Sequence, residues 1–299
     1  MPNTDPVVYS VDEFIDSFSG TKAVQGQTVA AVVGRPVAHS KSPVLHTAAA
    51  TAAGLNNFSY VRVEAGELDE LHTLLQRCTS TVAGFSVTMP GKTAALELAD
   101  TTEARADAIG SANTLVHRGD GSWAADNTDV VGVQRCLEYL ATHGVELKNQ
   151  RAVVVGNGGT ARPAVAALAA QGFTSVTVVA RSDRALNLKP LADHLGLDFE
   201  WHTFDSVQAV KHCQRAAVLI NTVPADIAAA YVDMFTAADS VLDVIYDPYP
   251  TPLMKAAAAA QKPVADGLRM LVGQAEQQFQ YFTGTPAPAG VMAKEVGLD

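Results

Sequence analysis

The residues with the clearest chemical content lie in Gly156-Asn157-Gly158-Gly159-Thr160-Ala161, between an apolar run at 152–155 and a helical segment. Gly156, Gly158 and Ala161 have the spacing of a dinucleotide-binding turn. Glycines permit the tight bend and let the backbone approach a pyrophosphate, and the following helix offers that anion its unpaired N–H groups. The next strand, over 176–179, runs into Ala180-Arg181-Ser182, with Arg184 close behind. An NAD site normally closes this strand with Asp or Glu on the ribose 2′-hydroxyl. Here two guanidiniums and a hydroxyl suit a 2′-phosphate instead, so NADP(H) is the expected cofactor. Asp183 sits among them, and the segment also reads as an exposed loop with solvated arginines.

Other chemistry is set aside on spacing. Gly91-Lys92-Thr93 ends like a phosphate-binding P-loop, but the glycine required five residues earlier is Ser86. Cys78, Cys136 and Cys213 are scattered without a CxxC and read as free thiols of a reducing compartment. His39, His46, His72, His117, His143, His194, His202 and His212 show no metal-ligand spacing, and no metal is expected. The 31 acids outnumber 21 Lys and Arg, a formal charge of -10, without any basic run. That balance argues against nucleic acid or an anionic membrane as partner, and it permits a small anionic ligand held by a few local cations. The start of the chain lacks the pattern of a signal peptide, and no run of about twenty apolar residues is present, so a cytoplasmic protein is expected.

The 299 residues suggest about two domains. A short helix is expected within an N-terminal extension, 1–26, where Ser10 and Glu13 form a capping-box pair and Val11, Phe14, Ile15 and Phe18 share a face. From Thr28 the rhythm alternates: strands at 28–33, 58–63, 82–87 and 114–117, with helices between. Ser42-Pro43 reads as an N-cap with Pro at the first helical position, and Gly54 as a stop. A helix over 130–144 leads into the strand at 152–155. Pro163 opens the helix that ends at Gly172, and further strands follow at 218–221 and 240–244. The alanine run 256–260 reads as helix interior. This alternation implies an α/β protein: an N-terminal, mostly parallel α/β domain plus a Rossmann-like, doubly wound dinucleotide-binding domain.

The segments His39-Ser40-Lys41-Ser42-Pro43, Ser86-Val87-Thr88-Met89-Pro90-Gly91-Lys92, Ser111-Ala112-Asn113-Thr114 and Asp126-Asn127-Thr128-Asp129 carry a further pattern. With the glycine loop, Tyr246-Asp247-Pro248 and the segment from Asp266-Gly267-Leu268 to Gln274, they resemble the shikimate dehydrogenase family, in matching order from about Thr28 to the end. The resemblance implies that Ser40 and Ser42 bind the substrate carboxylate, although Ser42 as a plain N-cap fits the same residues. It implies that Thr88, Asn113 and Gln274 hydrogen-bond the ring hydroxyls and that Tyr246 lines the substrate site. Gln274 flanks the apolar stripe Leu268, Leu271, Ala275 and Phe279, and on spacing alone it can equally face solvent. Lys92 and Asp129 match the catalytic pair, a lysine that hydrogen-bonds the reacting oxygen and relays its proton beside a carboxylate. Val244, Gly267 and Met270 match the walls around the nicotinamide, and Gly156 to Thr160 with Arg181, Ser182 and Arg184 match the rest of the cofactor site. Ser86, Gly91, Val130 and Ala180-Arg181-Ser182 depart from the usual pattern, which bears on cofactor preference and substrate tolerance.

The expectation is an NADP(H)-dependent oxidoreductase that reduces 3-dehydroshikimate to shikimate in chorismate and aromatic amino-acid biosynthesis. Residues 1–129 and 264–299 are expected to form the substrate domain and 130–263 the NADP domain, with chemistry in the cleft between them. The chain is expected to act as a monomer or homodimer. Rival readings are an NAD-dependent quinate/shikimate dehydrogenase and a dinucleotide-binding regulator without catalysis.

Overall fold

The computed structural model describes residues 7–20 and 23–298. Residues 1–6, 21, 22 and 299 lie outside the described residues, and with them part of the expected N-terminal extension. Within that extension the helix Val11–Phe18 carries the expected capping box: Glu13 N–H donates to Ser10 Oγ, and Ser10 N–H donates to Glu13 Oε2. Its apolar face docks on the first core, where the Phe14 and Phe85 rings stand 5.7 Å apart.

The chain divides into two compact units, 1–128 with 274–299, and 129–273. The first holds strands β1 (Thr28–Gly34), β2 (Phe58–Glu64), β3 (Val82–Val87), β4 (Thr101–Thr102), β5 (Thr114–His117) and β6 (Trp123–Asp126). They form one sheet in the order β2-β1-β3-β5-β6-β4, with β5 antiparallel to both neighbours and the other pairs parallel. β1 is central and covered on both faces: Val29, Ala31 and Val33 enter one core, Ala30 and Val32 the other. A strand buried on both faces reads as an unbroken apolar run, as β1 does.

The second unit holds β7 (Arg151–Val155), β8 (Ser175–Val179), β9 (Asp198–His202), β10 (Val218–Asn221), β11 (Val241–Asp243) and β12 (Val264–Asp266). All are parallel, in the order β12-β11-β10-β7-β8-β9. This is the doubly wound dinucleotide-binding order, and its switch point lies between β7 and β10, where ligands of such sheets bind at the strands' carboxyl ends.

Several expected boundaries shift. Residues 264–273 belong with the second unit, because β12 pairs with β11 at the sheet edge; the division falls inside the helix Gly267–Thr283. Ser42 is the first residue of the helix Ser42–Ala52, and Lys41 stands at the cap without a side-chain bond. The helix after the glycine loop starts at Ala161, two residues before Pro163, and the alanine run closes the helix Pro252–Ala259 with Ala260 at its C-cap. No helix among the described residues is long and apolar enough to cross a membrane.

Candidate active site

In the first unit, three sequence-predicted residues are drawn together by backbone hydrogen bonds at one end of the sheet. Thr88 extends β3, its N–H donating to Val33 O at 2.9 Å. Lys92 begins the helix Lys92–Leu98, and its carbonyl accepts from Ala112 N–H at 2.9 Å, in the segment that ends in Asn113. Asn113 O in turn accepts from Val87 N–H at 2.7 Å. Gly91 permits the tight path before Lys92: a Cβ there would lie 3.1 Å from both Leu71 Cδ1 and Val87 Cγ1.

Asn113 is buried and strongly oriented. Its Oδ1 accepts from Thr128 N–H at 2.7 Å, Thr128 Oγ1 at 3.1 Å and Thr114 Oγ1 at 2.8 Å. Three donors on one oxygen fix which end of the amide is the donor. A buried chain of side chains supports this arrangement. Tyr60 O–H donates to Ser86 Oγ at 2.6 Å, Ser86 donates to Gln278 Oε1 at 2.7 Å, and Gln278 Nε2 donates to Asn113 O at 3.1 Å and Thr114 Oγ1 at 2.9 Å. Ser86 works here as a relay that both accepts and donates. Sequence reading missed Tyr60 and Gln278. Gln278 stands one helical turn after Gln274, itself buried, and that spacing was its only signal.

Ser40 and Ser42 meet directly: Ser42 N–H donates to Ser40 Oγ at 3.3 Å, and Ser42 is buried beside the Tyr60 hydroxyl. Burial raises the Tyr60 phenol's pKa, so it stays a neutral donor. Arg62, also missed, donates from Nη2 to Ser40 O at 2.8 Å and so fixes the serine loop on β2. Under the helix, His46 stacks on Tyr60 with centroids 4.0 Å apart, and neither of its ring nitrogens has a hydrogen-bond partner among the described residues.

Asp126, Asn127 and Thr128 are buried. Asp126 forms a two-point ion pair with Arg105 and accepts from Tyr281 O–H at 2.8 Å. Burial works against the Arg105 charge, but the Asp126 carboxylate outweighs it and raises the guanidinium's pKa. Asn127 Nδ2 donates to Ser111 O at 2.9 Å. These bonds fix the chain up to Thr128. Asp129 then opens the helix Asp129–Thr142 and is itself buried.

In the second unit the glycine loop joins β7 to the helix Ala161–Ala170. Gly156 has φ +98°, and a Cβ there would fall 2.6 Å from Thr222 Oγ1 and 2.8 Å from Val223 Cγ1 after β10. Both backbone and space therefore demand glycine at the switch point. Asn157, Gly158 and Gly159 are exposed, Thr160 half-buried, and a Cβ at Gly158 or Gly159 would meet nothing within 4 Å. β8 lies parallel beside β7, so Arg181, Ser182 and Arg184, all exposed, follow the neighbouring carboxyl end. Ala180, where an NAD site has its acid, is buried and donates its N–H to His202 O at 3.1 Å.

Val244, Tyr246 and Gly267 converge. A Cβ on Gly267 would be 2.1 Å from Val244 O and 3.0 Å from Tyr246 Cδ1. Met270 is buried against the helix Asp129–Thr142, where a Cβ on Gly132 would meet Met270 O at 2.5 Å. The loop after β11 is anchored by buried Asp243, which accepts from Thr251 Oγ1 at 2.6 Å, Asn221 Nδ2 at 2.9 Å and Ile245 N–H at 3.2 Å. Its carboxyl is pushed upward by burial, against those three donors. Spacing gave no metal ligands, yet the fold gathers Glu200, His202 and His212 away from these residues, a cluster taken up below.

Comparisons with known proteins bear on this arrangement. Residues 32–115 match the family model of the shikimate dehydrogenase substrate binding domain, and residues 267–296 that of the shikimate 5'-dehydrogenase C-terminal domain. A Citrifermentans bemidjiense protein described as shikimate dehydrogenase (NADP(+)) is 34% identical over 283 residues, covering 91% of this chain and 95% of its own. The crystal structure of Mycobacterium tuberculosis shikimate dehydrogenase superposes with a TM-score of 0.83 at 44% identity, covering 90% of this chain and 98% of that one. A Thermus thermophilus shikimate 5-dehydrogenase, solved with NADP(H) and shikimate, gives 0.74 at 30% identity, covering 90% and 98%. With nine-tenths of the chain matched above 30% identity, and the ordered motifs lying on the expected strands and turns, this chain belongs to the shikimate dehydrogenase family.

Proposed function

We propose that the chain is an NADP(H)-dependent shikimate dehydrogenase, interconverting 3-dehydroshikimate and shikimate. The observation that carries this reading is the backbone-knitted group Thr88, Lys92 and Asn113 in a chain whose relatives bear that name. The second unit fits the cofactor. Packing within the chain does not require glycine at Gly158 or Gly159, which leaves close approach by a pyrophosphate as its reason, and the helix Ala161–Ala170 points its N-terminus there. Arg181, Ser182 and Arg184, exposed just beyond β8, suit a 2′-phosphate, and no acid stands at Ala180. Val244, Gly267 and Met270 form the wall for the nicotinamide. NADPH held there supplies the hydride for reduction, and NADP+ accepts it in the reverse direction.

The chain's own residues do the rest. Ser40 and Ser42 hold the substrate carboxylate with two hydroxyls. Thr88, Asn113 and Gln274 read the ring hydroxyls, and Tyr246 bounds the substrate. Lys92 Nζ donates to the reacting oxygen, stabilises the alkoxide as it develops and delivers its proton in reduction. Asp129, buried at the start of the helix Asp129–Thr142, is the carboxylate of the catalytic pair. General acid catalysis of this kind contributes about 10²–10⁴-fold. The domain assignment follows: a substrate unit of 1–128 with 274–299, a cofactor unit of 129–273. A small-molecule partner, the cytoplasm as compartment and a monomer or homodimer belong to the same reading.

Initial rates of shikimate oxidation test it, with NADP+ against NAD+ and shikimate against quinate. The expected result is turnover with shikimate and NADP+ at the highest kcat/KM of the four combinations. Preference for NAD+ or for quinate would overturn the cofactor or substrate assignment, and no turnover in any combination the enzyme reading itself.

A further inference from the structure

At the outer edge of the second sheet, three potential metal ligands that are dispersed in sequence meet on one face. Strand alternation puts Glu200 and His202 of β9 on the same side, and the helix Val207–Cys213 brings His212 over them. One donor atom from each residue lies within 4.8 Å of the others. Nε2 of His202 and Nε2 of His212 each stand 3.3 Å from the same Glu200 Oε2. In a tetrahedral zinc site with bonds of about 2.0–2.1 Å, neighbouring ligand atoms are about 3.3 Å apart, so two of the three edges already have the required length. The imidazoles lie side by side, centroids 5.1 Å apart and 26° between planes.

We propose that Glu200, His202 and His212 bind a zinc-type divalent cation, leaving a fourth position open to solvent. Two imidazoles and one carboxylate suit zinc and its borderline neighbours, not magnesium or calcium, which take oxygen ligands. His212 is oriented for the role. Its Nδ1 lies 3.0 Å from the hydroxyl of Thr177, which pairs with Glu200 across β8 and β9. With Nδ1–H donated to Thr177, Nε2 carries the lone pair, the arrangement that commonly fixes metal-binding histidines. Arg151 and Arg215 lie close enough to act electrostatically on His212. The two arginines also oppose a cation, and the Glu200 carboxylate is the anionic ligand that offsets them. The bound ion would clip the edge strand to the helix. Since His202 O accepts from Ala180 N–H, it would also brace the end of β8.

Titrating zinc into the metal-free full-length protein, in competition with a chromophoric chelator, tests the site. The expected result is one zinc per chain, weakened at least tenfold by His212→Ala, His202→Ala or Glu200→Gln, with unchanged far-UV circular dichroism. Cobalt in place of zinc should give the intense visible bands of tetrahedral coordination, lost in each variant. Glu200→Gln keeps the side-chain shape and serves if a histidine variant misfolds. No zinc bound by the wild-type chain, or equal binding by the wild type and the folded variants, would overturn the proposal.

Discussion

His46 is a buried residue whose cost can be measured. Its ring is fully enclosed between Tyr60, Phe279 and Phe282, and burial pulls its imidazole from 6.5 down to about 3. Between those values the unfolded chain takes up a proton that the folded chain excludes. This contribution is therefore complete above pH 6.5 and is lost as the pH falls toward 3. At pH 5 the loss is about 2 kcal/mol. Urea unfolding at pH 7.5 and pH 5 should show the wild type losing about that much more stability than His46→Leu, and equal losses would contradict the burial argument. Arg62 acts through Ser40. Removing it as Arg62→Ala frees the serine loop, and a positioning loss of about 1 kcal/mol should raise the KM for shikimate roughly fivefold with kcat little changed. Arg181 is exposed and gives nothing to packing, so Arg181→Ala should raise the KM for NADP+ about tenfold or more and leave that for NAD+ nearly unchanged. Parallel losses with both cofactors would move the 2′-phosphate site elsewhere.

At the level of elements, the glycines at close approaches set the geometry of the second unit. Gly267 has ordinary backbone angles, but its Cα faces Val244 O so closely that one methyl group forces the two apart. Gly267→Ala should cost about 1–3 kcal/mol, visible as a lower urea midpoint, and should weaken cofactor turnover with it. The same elements show what the sequence made legible. β1 and the Val218–Ile220 stretch of β10 were readable because covering on both faces leaves continuous apolar runs. β6, Trp123-Ala124-Ala125-Asp126, has no β-branched residue and pairs only through its neighbours, and two-residue β4 has too little pattern to detect. The candidate site was legible wherever motifs carry it in contiguous segments. Tyr60, Arg62 and Gln278 were hidden because each supports the site from another element, through a strand pairing or a helix face that only the tertiary fold defines. The same reason hid Glu200, His202 and His212, whose ligand spacing exists between a strand and a helix and not along the chain.

For the whole molecule, the charge of -10 and the anionic ligands of the proposed reaction are compatible, because binding rests on placed groups. In the proposed reading those groups are Lys92, Arg181, Arg184, the serine pair with Arg62 behind it, and backbone N–H groups at the glycine loop. A ligand that binds only the folded chain also stabilises it. NADP+ at a hundred times its dissociation constant should add about 2.7 kcal/mol, and NAD+ at the same concentration should add clearly less. The most direct measurement is the absorbance of reduced nicotinamide after mixing NADPH and 3-dehydroshikimate with wild-type protein or Lys92→Ala. The wild type should consume NADPH in step with substrate. Lys92→Ala should be slower in kcat by about 10²–10⁴-fold while its NADPH affinity is retained. NADPH left unconsumed by the wild type, or consumed equally fast by Lys92→Ala, would contradict the account.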